Sequence, residues 1–221
     1  MKELLEKTLS FWEYLTDYEK SQILSQTFKV HYGNKSIINH GSKDCKGLLI
    51  IGKGRARIFI NSENGSNGGE ITLYRLLEGD VCILSAACMM KGLDINVSME
   101  LEEDTEFLII PKAVFLEISN KNIAVKNYLL EEISEKFSSV MWVLNQYIFT
   151  NMAHRLSVAL LEHRALGESN RVEITHEALA KDLGTAREVV TRLLKQFQKD
   201  GLVELSRGNI NIIDVARLMN I

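Results

Sequence analysis

The spacing of apolar residues along this chain changes character twice, and each change marks a change of architecture. Near the start Leu4, Leu5 and Leu9 recur at helical spacing, and Thr16-Asp17-Tyr18-Glu19 has the form of a capping box ahead of Ile23 and Leu24. Short helices are predicted there. From Phe28 to about Ile110 the pattern becomes a series of short β-prone runs, at 28–32, 36–38, 47–51, 56–61, 70–77, 95–100 and 105–110. They are divided by Gly33-Asn34, Asn39-His40-Gly41, Gly52-Lys53-Gly54, Gly65-Ser66-Asn67-Gly68-Gly69 and Glu78-Gly79-Asp80. Many short strands at regular spacing predict a closed or double-sheet β structure in place of a βαβ fold. Gly65–Gly69 reads as a hairpin tip.

After Pro111, the single proline of the chain, the pattern is mostly helical. Lys112–Ile118 predicts a short helix, and 123–149 a long one in which Ile133, Phe137, Val140, Leu144 and Tyr147 recur at spacings of 4, 3, 4 and 3. That is an a/d seam, and so long a helix exceeds what one small domain usually covers. These five residues are therefore the expected dimer contact. Arg155–Arg164 predicts another amphipathic helix.

The segment from Thr175 to Phe197 carries the sharpest signal. Thr175 is placed to cap a helix that buries Leu179 and Ala180, and Gly184 supplies the left-handed conformation of a tight inter-helix turn. Thr185 and Glu188 have capping-box spacing and are expected to start a second helix. On it Val189, Leu193 and Phe197 are expected to face inward, leaving Arg187, Glu188, Thr191, Arg192 and Lys195 for another surface. A helix, a glycine turn and a second helix with a polar N-terminal half are what a major-groove reader requires. Asp200-Gly201 ends it, and Leu202–Leu205, Ser206-Arg207-Gly208-Asn209 and Ile210–Ile213 predict a small hairpin, a wing.

Composition narrows the function classes. The 221 residues, 46% hydrophobic and 25% charged, suit two globular domains. The start, Met1-Lys2-Glu3-Leu4-Leu5-Glu6-Lys7, lacks a secretory apolar core, and no run approaches a membrane span; a cytoplasmic location without membrane contact is expected. A net charge of −3 would not suggest nucleic acid. Split by region, 1–150 carries −4 and 151–221 carries +1, yet Thr185–Lys199 holds Arg187, Arg192, Lys195 and Lys199 against Glu188 alone. A local patch supplies phosphate contacts where the average cannot.

Catalytic and metal chemistry finds little support. His31 and His40 lie in the β-rich region, which raises a cupin-type metal enzyme, but no third histidine joins them there. His154 and His163 miss the i, i+4 metal spacing, and His176 stands alone at the start of a helix. No phosphate loop, nucleophile elbow or paired catalytic carboxylate is present. No metal, cofactor or enzymatic activity is expected. Cys45, Cys82 and Cys88 are too few and too scattered for a disulfide framework or a four-thiolate cluster. Cys82, Ser85 and Cys88 form a candidate effector or redox site, beside the plainer reading of buried cysteines as small hydrophobes.

In its motifs the chain resembles the Crp/Fnr family of bacterial transcription regulators over nearly its whole length. The resemblance rests on Ile51-Gly52-Lys53-Gly54-Arg55-Ala56-Arg57, Leu77-Glu78-Gly79-Asp80 and Asp104-Thr105-Glu106. It continues in Leu179-Ala180, Leu183-Gly184, Arg187-Glu188-Val189-Val190-Thr191-Arg192, Gly201-Leu202-Val203 and Ser206-Arg207-Gly208. It implies an α+β fold: a β-roll of the cyclic-nucleotide-binding type (a double-stranded β-helix) over 1–120, a dimerisation helix over 121–150 and a winged helix-turn-helix over 151–221. It also implies a homodimer that reads a palindrome in double-stranded DNA and contacts RNA polymerase under the control of an effector. Bases would be read by Arg187, Glu188, Thr191 and Arg192, and phosphates held by Thr175, Thr185, Lys195, Lys199 and Arg207.

Two departures bear on the signal. The family's phosphate-clamping Gly-Glu and Arg-Ser positions fall here at Ile83-Leu84 and about Asp94-Ile95. An aspartate repels a cyclic phosphate where a bidentate cation is needed. The stretch Val140-Met141-Trp142 lacks the hydroxyl pair that meets the base in cyclic-nucleotide binders. Residues 1–44 contain no cysteine, unlike the oxygen sensors of the family. A signal other than cyclic AMP is expected. The alternative is a ligand- or redox-sensing protein whose C-terminal domain serves protein contacts and not DNA.

Overall fold

The computed structural model describes residues 1–40, 46–61, 70–82 and 97–221. The first strands are β1 (Phe28–Tyr32), β2 (Ile37–His40), β3 (Gly47–Lys53) and β4 (Ala56–Asn61). They are followed by β5 (Glu70–Leu76), β6 (Val81–Cys82), β7 (Val97–Leu101) and β8 (Thr105–Pro111). These strands form two four-stranded sheets, β1-β8-β3-β6 and β2-β7-β4-β5. Helices α1 (Lys2–Thr8) and α2 (Asp17–Gln26) precede them, and α3 (Lys112–Lys121) and α4 (Ile123–Phe149) follow.

The continuous apolar runs Leu48-Leu49-Ile50-Ile51 and Phe107-Leu108-Ile109-Ile110 have a physical reason. Strands β3 and β8 pair antiparallel in the middle of one sheet, and both of their faces are covered. Leu49, Ile51, Phe107 and Ile109 meet Ala56, Ile58, Val97, Met99 and Leu101 of the other sheet. On the opposite face Leu48, Ile50, Leu108 and Ile110 pack with Leu5, Leu9, Phe11, Trp12, Ile23, Phe115 and Tyr128. Two-sided burial replaces alternation with a solid run.

Thr16 and Glu19 do make the capping box that starts α2. Several boundaries differ from expectation by one to three residues, and β6 was not foreseen. The proposed hairpin tip at 65–69 lies outside the described residues.

The chain divides into two compact units, Met1–Ile60 with Leu73–Met141, and Asn61–Thr72 with Trp142–Ile221. The helix expected to stand apart as 121–150 is thus shared between them. In the second unit α5 (Met152–Gly167), β9 (Arg171–Val172), α6 (His176–Asp182), α7 (Arg187–Lys199), β10 (Val203–Ser206), β11 (Asn209–Ile212) and α8 (Val215–Leu218) follow one another. Leu156, Leu160, Leu179, Val190, Leu194, Phe197, Ile210 and Leu218 form its core.

On α4, Ile133 is partly buried and packs on the core of its own unit, unlike the predicted seam. Tyr147 is taken up by its own chain, with the Arg155 guanidinium 3.4 Å from its ring centroid. The exposed apolar stripe instead runs through Leu130, Phe137, Met141, Leu144 and Ile148. Phe137 and Leu144 belong to both stripes; Ile133, Val140 and Tyr147 lie beside the exposed one. The cause is geometric: with 3.6 residues per turn, two neighbouring stripes share positions seven apart, and packing decides which is left open.

Candidate nucleic-acid interface

Thr175 caps α6 as expected, its Oγ1 accepting from the Ala178 N–H at 3.1 Å. Leu179, Ala180 and Leu183 are buried against the unit's core, which fixes the angle at which the next helix leaves. Gly184 turns the chain at φ +58°, and a Cβ there would stand 2.8 Å from the Tyr147 hydroxyl. Only glycine satisfies both the dihedral and the space.

The start of α7 corrects the sequence reading. Ala186 is the N-cap, without a side-chain cap bond, so Thr185 and Glu188 do not form the expected box. The buried stripe is also displaced: Val190, Leu194 and Phe197 are inside, whereas Val189 and Leu193 are only partly covered. The polar side survives both corrections. Arg187, Glu188, Arg192, Lys195 and Lys199 are exposed, and Thr191 is half-buried beside them. Glu188, Thr191, Arg192, Lys195, Gln196 and Lys199 line one shallow concave surface. A single helix face thus offers four cations, one carboxylate and one hydroxyl.

Two residues missed in the sequence hold this surface in place. Arg155 is buried, donates from Nη2 to the Leu183 carbonyl at 2.6 Å and stacks on Tyr147. It thereby satisfies a carbonyl at the C-terminus of α6, where the helix leaves acceptors unpaired. His176 Nδ1 lies 3.0 Å from Thr191 Oγ1 and ties the start of α6 to the exposed face of α7. Burial first, and then the cations Arg187 and Lys195, hold the His176 pKa below its ordinary value. No period or spacing marks either contact, because each joins residues brought together by the helix crossing.

The wing is a three-stranded sheet, β10-β11-β9, with the third strand unforeseen. Ser206 pairs with Asn209 across the two-residue turn, so Arg207 stands exposed at its tip and Gly208 adopts φ +76°. Thr175 is exposed and Thr185 half-buried at the open ends of the two helices. Every residue expected to meet DNA therefore lies on the second unit, on α6, α7, their turn or the wing.

Other candidate chemistry is sparser. Cys82 is buried in the inter-sheet core, while Ser85, Cys88, Cys45 and the clamp positions 83–84 and 94–95 lie outside the described residues. His31 meets Glu106 at 3.1 Å, and His163 meets Asp182 at 2.9 Å. Lys29 beside Glu106, more than any other group, holds that carboxyl below its usual range. Among the described residues no group of three His, Cys, Asp or Glu side chains is placed to hold a metal. No helix among them is long and apolar enough to cross a membrane.

A winged helix-turn-helix behind a two-sheet β domain and a long helix defines a class of DNA-binding regulators. Residues 154–221 match the model of the Crp-like helix-turn-helix domain. A solved structure from Eubacterium rectale, assigned to the Crp/Fnr family of transcriptional regulators, is 39% identical. It aligns over 97% of this chain and 98% of its own, with a TM-score of 0.90. The cyclic AMP receptor protein of Thermus thermophilus is 25% identical over 174 residues, 79% of this chain and 78% of that protein. The c-di-GMP-responsive global regulator CLP of Xanthomonas campestris shares the fold at a TM-score of 0.74 and 13% identity, over 90% of this chain and 100% of that one. The chain belongs to the Crp/Fnr family of transcription regulators. Members of this family bind DNA and typically act as dimers.

Proposed function

We propose that this protein is a homodimeric regulator that reads a palindromic operator with α7, under the control of a signal other than cyclic AMP. The observation that carries the reading is the polar face of α7, because a helix buried through Val190, Leu194 and Phe197 turns Arg187, Glu188, Thr191 and Arg192 outward together. Arg187 and Arg192 offer donors to guanine, Glu188 an acceptor to cytosine N4, and Thr191 a hydroxyl and a methyl. Lys195, Lys199 and the wing-tip Arg207 meet phosphates, as do Thr175 and Thr185 at the helix starts, where backbone N–H groups favour anions. The stripe Leu130, Phe137, Met141, Leu144 and Ile148 joins two copies. RNA polymerase is the protein partner, the β domain takes a small-molecule effector, and the protein works in the cytoplasm without catalytic activity.

The mutational test separates base readers from backbone contacts. Arg192→Ala should weaken binding to the selected operator by about 1–3 kcal/mol and relax the preference at one base pair. Lys199→Ala should weaken all duplexes alike and reduce the salt slope by about one. Equal losses on operator and random DNA for Arg192→Ala would place that side chain on the backbone.

A further inference from the structure

His176 and Thr191 are fifteen residues apart, on different helices, yet Nδ1 and Oγ1 stand 3.0 Å from each other. Both side chains are half-buried, and Thr191 lies on the face of α7 that also presents Glu188, Arg192 and Lys195. A threonine hydroxyl has one proton to give, so what its oxygen offers outward depends on what the imidazole takes. A neutral ring carrying its proton on Nε2 accepts at Nδ1. Thr191 then donates inward, and its lone pairs face the groove as an acceptor for adenine N6 or cytosine N4. A doubly protonated ring donates at Nδ1. The Thr191 O–H is then released outward as a donor for guanine O6 and N7 or thymine O4.

We propose that His176 is a specificity-determining positioning residue that sets whether Thr191 offers DNA an acceptor or a donor. The inference rests on the reading of α7 as the groove helix. The charges facing the ring are Arg187 and Lys195, both from α7, and after burial they are what holds the ring neutral at neutral pH. In the Nε2–H tautomer proposed for the neutral ring, Thr191 rests as an acceptor, and acidification below the ordinary histidine range converts it to the donor form. A tie that served only to hold the two helices together would leave base preference untouched.

The test is selection of binding sites from a pool of randomised duplexes by the full chain, at about pH 8 and about pH 4.5. The lower value is set well under the ordinary histidine range because burial, Arg187 and Lys195 hold this ring lower still. At one base pair per half-site, wild type should move by about fivefold or more from A or C to G or T on the strand facing Thr191, the size of one base contact. His176→Asn keeps a hydrogen-bonding group near Nδ1 without titrating, so its preference should be the same at both pH values. Thr191→Val should flatten that base pair at both pH values while the others are still read. Either variant suffices if the other does not fold. A wild type that binds and selects identical sites at both pH values overturns the inference and leaves the reading of α7 standing. No enriched sequence at all overturns that reading, and the inference falls with it.

Discussion

The stripe proposed to join two copies can be broken by design. Leu130, Phe137 and Leu144 follow one another at intervals of seven on α4, with Met141 and Ile148 filling the offset of four. Phe137 keeps 64% of its surface exposed and Leu144 47%, so roughly half of each remains to be covered by a second copy. Full burial of a large apolar side chain contributes about 1.5–3 kcal/mol, so half of it contributes about 1 kcal/mol. Changing both residues to Glu removes four such contributions from a two-fold contact, or about 4 kcal/mol, which is about a thousandfold in the dissociation constant. Like charges facing each other across the axis add to the loss. Sedimentation velocity should show wild type as a dimer at micromolar concentration and the double variant as a monomer, with operator binding lost in parallel. Ile133→Ala is the control: its side chain packs on its own unit, so it should lower the thermal midpoint while leaving the dimer intact. A double variant that stays dimeric with the wild-type constant, or a monomeric wild type, refutes the argument.

Two further outcomes are expected. Cyclic AMP and cyclic GMP should show no binding by calorimetry tighter than about 10 μM, roughly −7 kcal/mol, because the sequence aligned with the family's clamp reads Ile83-Leu84 and about Asp94-Ile95, without a cation; a tighter constant would overturn that placement. Arg155→Met should destabilise the protein by about 1.5–3 kcal/mol in chemical denaturation, since it strips the Leu183 carbonyl of a charged donor and uncovers the Tyr147 ring; an unchanged midpoint would show that the contact is not held in solution.

What the sequence revealed depended on whether the relevant contacts were local. The Thr16 capping box, the limits of α4 and the Gly184 turn are each written within a few neighbouring residues, and each stands as expected. The failures come from contacts that local spacing cannot encode. The predicted α4 seam and the exposed stripe diverge at Ile133, because Phe137 and Leu144 fit both periods and only packing on the core of its own unit claims Ile133. Thr185 and Glu188 had the right spacing for a box, but Ala186 is the cap, and the inward stripe of α7 runs through Val190, Leu194 and Phe197. Arg155 looked like a polar residue on an amphipathic helix. Its burial is intelligible only once the carbonyl of Leu183 is known to lie above it.

The same distinction explains why the DNA-binding end of this regulator is legible in its sequence and the proposed signal is not. The residues proposed to meet DNA on α6, α7 and their turn lie within a single stretch from Thr175 to Lys199, and one helix face is enough to present bases with donors and acceptors. A site inside the β domain would be assembled from strands distant in sequence, such as β3, β7 and β8, which meet only through the sheets. No spacing in the chain registers that meeting. The fold does not supply the missing ligand either. One relative is a cyclic AMP receptor protein at 25% identity, and another protein with this fold, at 13% identity, responds to c-di-GMP. Proteins of this one framework are thus named for chemically different signals. Asp94, where a cation would be needed, argues against a cyclic mononucleotide without naming its replacement. Mass spectrometry of small molecules retained by the purified native protein is therefore the direct test of the proposed effector.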